Sequence, residues 1–526
     1  MTEWVVVGTS GGPGVAKERK ASFRKDKPAT SVPPAAFRSR DPEPELPEVV
    51  FALVKPLGTA SAKVQEMIRK RLGTYGFDTE LVRVSEVIMP GLAQAEPVSG
   101  SGRRAASNRI EMGNKLRQRS GTNAILAWGA ASEIHRIRNQ REAKGAANKK
   151  VAYLITSLRH PEEVAELRRI YGTGFFLIAV HTSKEQRLKN LVATGAGMSR
   201  AEAMELIDRD EHEPEAFGQH TRDTFHLADF FVADEQNDDK LGAEIERCLD
   251  LVYGHPFLTP TFNEFAMFMA FAASARSADL SRQVGAVVAQ SREILATGAN
   301  DCPRSGGGLY WPEFHGNRIE DAPRGRDYKR GFDSNSAAKT QLVQAVAERF
   351  PPTQRADAEK LLTGSAIRDI TEYGRVVHAE MEALLACARR GVSCVGATLF
   401  CTTFPCHNCA KHIIAAGIKE VVFVEPYPKS RAIEFHEEAI SMERGEAAEG
   451  RVRFKPFIGV GPRSFLDLFS MSLSAGREIN RKDANGRASS WDPSQARPRL
   501  HLSVFTHRQY EQLATERLKA VLPRRK

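Results

Sequence analysis

No apolar run in this chain approaches the ~18 residues that a membrane-spanning helix needs, although 41% of its 526 residues are hydrophobic. That absence excludes a helical membrane protein and leaves the apolar residues for buried cores. Cysteine is scarce as well. Of the seven present, Cys248, Cys302, Cys387, Cys394 and Cys401 show no framework spacing. A disulfide-stapled secreted scaffold is therefore excluded, and a reduced, cytoplasmic setting is expected. The opening Val5-Val6-Val7, followed at once by glycines, lacks the apolar core of a signal peptide. Aromatic rings are missing where two of the basic stretches lie. The net charge is +10, with the excess gathered in residues 17–40, Arg103–Arg119 and Arg136–Lys150. No ring interleaves with the last two, which argues against a stacking platform for single-stranded nucleic acid. They read as solvated segments, with an RNA or phosphate contact as the alternative.

What is there suggests more than one domain, as the length itself does. Residues 1–48, with Gly11-Gly12-Pro13-Gly14, Pro33-Pro34 and alternating Pro and acid at 41–45, read as a flexible arm. From Val49 to residue 256, short apolar runs (Val49–Val54, Ala124–Ala127, Val151–Ile155, Phe175–Val180) alternate with helical stretches. This pattern predicts a parallel α/β sheet covered on both faces. Residues 257–474 change character. An apolar-faced helix at Phe262–Arg276 precedes a hairpin at Gly285–Gly298 and a Gly/Arg/Asp-rich insertion at Pro303–Phe332. Helix and strand then alternate, giving an α/β/α domain. Residues 475–526 form a polar extension ending in a helix at Arg508–Leu522.

Chemistry concentrates in two short motifs of this second domain, His378-Ala379-Glu380 and Pro405-Cys406-His407-Asn408-Cys409. His378, Cys406 and Cys409 are the pattern of a zinc site with three protein ligands and a fourth position left for water. Cys406 and Cys409 at i and i+3 fall on one helix face, and Pro405 suits a helix start whose positive end favours thiolates. Glu380 is placed to move protons without ligating the metal. Either half alone is weak, but both in this order point to a nucleobase deaminase. The competing reading is a closed structural zinc knob, with His407 or His412 as fourth ligand. A structural site has no need of Glu380.

The flanking residues sharpen this. Val377–Ala383, Thr402–Lys411 continuing through Ile413–Val421, and Arg276-Ser277-Ala278-Asp279-Leu280-Ser281-Arg282-Gln283-Val284-Gly285 resemble the deoxycytidylate deaminase family. Ala299-Asn300-Asp301 stands where that family has its Tyr-Asn-Gly loop. The resemblance implies that Asn300 bonds the deoxyribose and Arg276 faces the 5′-phosphate. It also implies that the Ala379 N–H and the Thr403 region hold the pyrimidine edge. Leu53–Thr59, Tyr153–Glu163 and the lid-like Arg209–Glu211 and Gly218–Phe225 are similar to a P-loop nucleotide-kinase fold. The two halves, with the tail Gly459–Phe465, resemble bacterial anti-phage deoxycytidine nucleotide deaminases of the AvcD/DcdV type. That likeness implies a P-loop-kinase-like parallel α/β domain fused to a cytidine-deaminase-like α/β/α domain. It also implies dCTP and dCMP as substrates, Zn2+ as cofactor, a hexamer, and inhibition by a small RNA.

One departure stands out. A working phosphate loop ends in Gly-Lys-[Ser/Thr], and here Lys63 is preceded by Ala62 and followed by Val64. Lys55, Gly58, Lys63 and Arg222 are candidate nucleotide or regulatory contacts in a loop that lacks the magnesium hydroxyl, so a role in control or assembly is expected. Two alternatives remain open. One is a tRNA or single-stranded DNA deaminase using the same zinc chemistry, and the other a nucleotide kinase carrying a dead deaminase.

Overall fold

The computed structural model describes residues 48–521 apart from 99–101, 146–149, 195–197, 212, 214–216, 236, 371, 428, 443–449, 501 and 503–505. The expected flexible arm at 1–48 lies outside them except for Glu48. The described chain carries two six-stranded sheets. The first is built from β1 (Glu48–Val54), β2 (Asp78–Arg83), β3 (Val151–Leu158), β4 (Phe175–His181) and β5 (Phe230–Ala233). These run parallel in the order β2-β3-β1-β4-β5. β1, β3 and β4 are largely apolar and buried on both faces, as strands sandwiched between helices must be.

The second sheet holds β6 (Gly285–Gln290), β7 (Glu293–Ala299), β10 (Thr398–Thr403), β11 (Glu420–Glu425), β12 (Ile440–Ser441) and β13 (Val452–Pro456). Its order is β7-β6-β10-β11-β13-β12, with β6 antiparallel to both neighbours and β10, β11, β13 and β12 parallel. The insertion contributes a separate hairpin, β8 (Glu313–His315) with β9 (Arg318–Glu320).

A last strand, β14 (Gly459–Val460), follows the second sheet in sequence yet pairs antiparallel with β5 of the first. Glu264 fastens this junction. It completes the capping box of the helix Phe262–Ser274 with Thr261, accepts the Val460 N–H at 2.9 Å and pairs with Arg247 at 2.7 Å. Asp229 does similar work one strand-end away, taking the Ser464 hydroxyl at 2.8 Å and the Leu177 N–H at 2.7 Å. The C-terminal helix Thr506–Val521 packs on the helix Ile125–Ala143 of the first sheet.

One expectation needs correction. The apolar run Ala124–Ala127 is the opening of the helix Ile125–Ala143, not a strand. A four-residue apolar run has no readable period, and the burial continues at Ala130, Ala131 and Ile134, which is helical spacing. β2 gives no strand signal in the sequence, because Asp78-Thr79-Glu80-Leu81-Val82-Arg83 is an edge strand with only Val82 fully buried. The basic residues of Arg103–Arg119 and Arg136–Lys150 lie mostly on helices and are in good part solvated, with Arg103, Arg104, Lys115, Arg119, Arg136 and Lys144 exposed, while several are drawn into ion pairs. Arg117 pairs with Glu163 with both side chains fully buried, Arg141 reaches Asp78 and Glu80, and Arg103 reaches Glu202 and Glu205.

Gly298 sets how closely β7 approaches the helix Ala379–Arg389. A methyl group there would overlap the carbonyl oxygen of Ala379 and lie 2.6 Å from the Ala383 nitrogen. Gly298→Ala is therefore expected to push that helix outward, lowering Tm and activity together. Thermal melting beside a deamination assay checks this, and an unaltered Tm would contradict it.

Candidate active site and metal centre

His378 and Cys406 both occupy the residue just before a helix, in extended backbone with φ of −68° each. The first helix is Ala379–Arg389 and the second His407–Ala415. β10 delivers the chain to Thr403 and then Phe404-Pro405, while an isolated bridge between Asp301 and Val377 fixes the approach to His378. The two helix starts thus converge, and their free N–H groups give the region a positive bias that suits thiolates.

Nδ1 of His378 lies 3.3 Å from Sγ of Cys406 and 3.3 Å from Sγ of Cys409. The donor atoms of all three residues lie within 4.8 Å of one another. Tetrahedral zinc, with its ordinary bond lengths to nitrogen and sulfur, would separate those donors by about 3.6 Å. Two soft thiols and one imidazole at that spacing fit zinc, with a fourth direction left open. Nε2 of His407 lies 3.9 Å from a Glu372 carboxylate oxygen, and His407 stands outside the cluster, as does His412.

The electrostatics agree. The Cys409 thiol beside it holds the Cys406 sulfur down, to about 4, against the opposing effect of burial and with support from His378. The Cys406 sulfur in turn lifts the His378 imidazole to about 9 against burial. Protons hold here what a divalent cation would hold, so metal binding releases them. Glu380 is buried, and burial raises its carboxyl pKa, with Cys406 adding and His378 opposing. Its carboxyl interacts with the thiols of Cys409 and Cys401. Cys401, buried in β10, contacts Glu380, and no spacing in the sequence reveals that contact.

The other expected site residues are placed as follows. Ala379 is fully buried at the helix start. Thr403 is buried and its hydroxyl donates to Glu425 at 3.1 Å. Asn300 is buried and braces its own loop. Its Oδ1 accepts the Val284 N–H at 2.7 Å and its Nδ2 donates to the Arg282 carbonyl at 2.9 Å. Arg276 turns to the insertion. Its guanidinium stacks 3.6 Å from the centre of the Trp311 ring and donates to the Tyr310 carbonyl at 2.9 Å. The same carbonyl accepts from Arg326 at 2.7 Å. Trp311 carried no sequence signal, since nothing in an irregular insertion gives it a period.

Far from this cluster in sequence, the loop after β1 holds Lys55 and Gly58, Lys63 lies on the helix Ser61–Thr74 that follows, and Arg222 lies on the short helix Thr221–Phe225. Gly58 adopts φ +90° against Arg187, and Lys63 pairs with Asp234 and Asp238 at 2.9 and 2.6 Å. Burial, aided by Arg159, pushes the Lys55 ammonium down to about 8. Nε of Arg222 is buried without a hydrogen-bond partner among the described residues.

Residues 260–425 match the family model described as "Cytidine and deoxycytidylate deaminase zinc-binding region". The deoxycytidylate deaminase of Mycobacterium phage D29 is 30% identical over 171 residues, 32% of this chain and 96% of that protein. The deoxycytidylate deaminase of Saccharomyces cerevisiae is 26% identical over 311 residues, covering 56% of this chain and 81% of that protein, a longer stretch than the family match. ComE operon protein 2 of Bacillus subtilis is 39% identical over 84 residues, but the chain spans only 44% of its length and the match 15% of this chain.

Proposed function

The chain belongs to the deoxycytidylate deaminase family, and from that premise we propose that it hydrolyses the exocyclic amine of deoxycytidine nucleotides, turning dCMP and dCTP into dUMP and dUTP. The observation that carries this reading is the buried Glu380 carboxyl set against the convergent His378, Cys406 and Cys409 donors. His378, Cys406 and Cys409 would hold zinc, which would supply the Lewis acidity that eases deprotonation of water near neutral pH. Glu380 does the proton work. It takes a first proton from water as the oxygen bonds to C4 and passes it to N3, then takes the second from the new C4 hydroxyl and delivers it to the amine, so that C4=O forms as the C4–N bond breaks and ammonia leaves. Burial favours this role, because a raised carboxyl pKa lets one group act as base and then as acid.

The Ala379 N–H and the Thr403 region hold the pyrimidine edge. Asn300 has a lone pair and an N–H beyond those its loop uses, and these meet the deoxyribose. Arg276, steadied by Trp311 and Tyr310, offers its remaining N–H groups to the 5′-phosphate. The first sheet, with a loop and helix following its central strand β1, supports a P-loop-kinase-like reading of the first half. With the tail after β13, this supports the finer assignment: a cytoplasmic, oligomeric enzyme of hexameric type, restrained by a small RNA, that drains the dCTP pool during phage infection.

Offering dCMP, dCTP, cytidine and single-stranded DNA to the purified protein tests the substrate class. Conversion of the nucleotides is expected, and conversion of the polymer alone would overturn the reading in favour of nucleic-acid editing. Metal removal is a second test. Cys409→Ala, or prolonged chelation of the wild type, is expected to abolish zinc in elemental analysis and deamination together. Zinc should restore the chelated wild type only. Retained activity in zinc-free protein would refute the metal assignment.

A further inference from the structure

The loop after β1 looks built for an anion, and the structure holds anions there already. Its backbone and side-chain donors converge as in a phosphate cradle. The Leu57 N–H, the Ala60 N–H at the start of the helix Ser61–Thr74, the Lys63 ammonium and the Arg159 guanidinium all lie at or over the C-terminal end of β1. Each is matched by a carboxylate of this chain. Asp210 takes the Leu57 N–H at 2.8 Å and Arg159 at 2.5 Å. Asp234 takes the Ala60 N–H at 3.2 Å and Lys63 at 2.9 Å. Both aspartates are almost fully buried, so they act as fixed members of the fold.

The cover is equally close. Asp210 belongs to the helix Arg200–Glu211, the lid-like element. Gly58, with φ +90°, presses its α-carbon face on Arg187, where a methyl would lie 2.8 Å from the Arg187 carbonyl oxygen. Asn190 donates to the Gly58 carbonyl at 2.8 Å. A magnesium-binding hydroxyl has no counterpart, since Ala62 and Val64 flank Lys63.

We propose that this is a self-occupied phosphate loop, in which Asp210 and Asp234 stand where phosphate oxygens would bind and hold the lid helix shut on the first sheet. A nucleotide does not bind in this state. The charge-assisted hydrogen bonds that phosphate would make are already made within the chain, and entry would require expelling two buried carboxylates. The loop thereby becomes a permanent clasp between β1, β5 and the lid helix. This is independent of the deaminase reading and would survive its failure.

Chemical rescue with inorganic pyrophosphate tests it on the full chain, at ionic strength matched with potassium chloride. Wild-type Tm is expected to be unmoved by pyrophosphate. Asp210→Ala and Asp234→Ala should each melt several degrees lower, because a cradle of donors loses its anion. Pyrophosphate should recover most of that loss in proportion to its concentration, as a ligand of the native state does. The rescue of Asp234→Ala should vanish when Lys63→Ala is added. If Asp210→Ala does not fold, Asp210→Ser opens most of the same space with a smaller change and should show the same rescue. A Lys63-dependent rise in wild-type Tm with pyrophosphate would overturn the proposal, and so would variants that pyrophosphate does not stabilise.

Discussion

Glu380→Gln is expected to slow deamination of dCMP by about 10³-fold, within the range typical of a lost general acid–base, while zinc content and Tm stay at wild-type values. About 4 kcal/mol of barrier corresponds to that factor. Glutamine keeps the size of the side chain and its burial beside Cys401 and Cys409. It cannot accept a proton from water or deliver one to N3 and the departing amine. The effect should fall on kcat more than on KM, because the lost interaction belongs to proton transfer and not to ground-state binding. Since His378, Cys406 and Cys409 form the donor cluster without Glu380, metal retention is the diagnostic companion. A Glu380→Gln protein with intact zinc and wild-type turnover would remove Glu380 from the mechanism. Lost zinc would instead move it into the coordination sphere.

The active-site half of the molecule was legible for a physical reason. Zinc chemistry requires particular atoms at short sequence separations from helix starts, so His378-Ala379-Glu380 and Cys406–Cys409 carry the geometry in their spacing. What lies around them depends on tertiary placement and leaves no such trace. Trp311 reaches Arg276 from an irregular insertion, and Cys401 reaches Glu380 across a strand-to-helix packing. The first sheet was legible where strands are buried on both faces, as in β1, β3 and β4, and illegible at the charged edge strand β2. The Ala124–Ala127 run failed because apolarity without period does not distinguish a strand from a buried helix. β14 is the hardest case. Two residues, Gly459-Val460, join a sheet whose other strands lie more than two hundred positions earlier, and only the partners Glu264 and Asp229 explain why they do.

The same separation makes the C-terminal helix a sensitive point of stability. Glu511→Ala is expected to cost about 3–5 kcal/mol, the penalty for leaving a buried charge without its partner. Arg138 is 3% exposed and Glu511 is fully buried. The guanidinium bridges Glu511 to Glu48 at the start of β1, with Nη2 at 3.1 Å from Glu511 and 2.7 Å from Glu48. His507, from the same C-terminal helix, approaches Glu48 at 3.5 Å. Removing Glu511 strands half of this arrangement, whereas Arg138→Met with Glu511→Leu and Glu48→Leu together removes all three charges and should recover much of the loss.

Acid offers an independent handle on Glu48. Burial alone would raise its pKa, but hydrogen bonds from His507 and Arg138 outweigh that and hold it at about 2, against 4.5 for a free glutamate. A depressed carboxyl pKa means that the unfolded chain binds the proton more readily. The stabilisation is therefore complete above pH 4.5 and fades as pH falls toward 2. Urea melts across that window should show wild type losing stability relative to Glu48→Gln, whose amide does not titrate. Parallel curves for the two proteins would show that Glu48 gains nothing from Arg138 and His507.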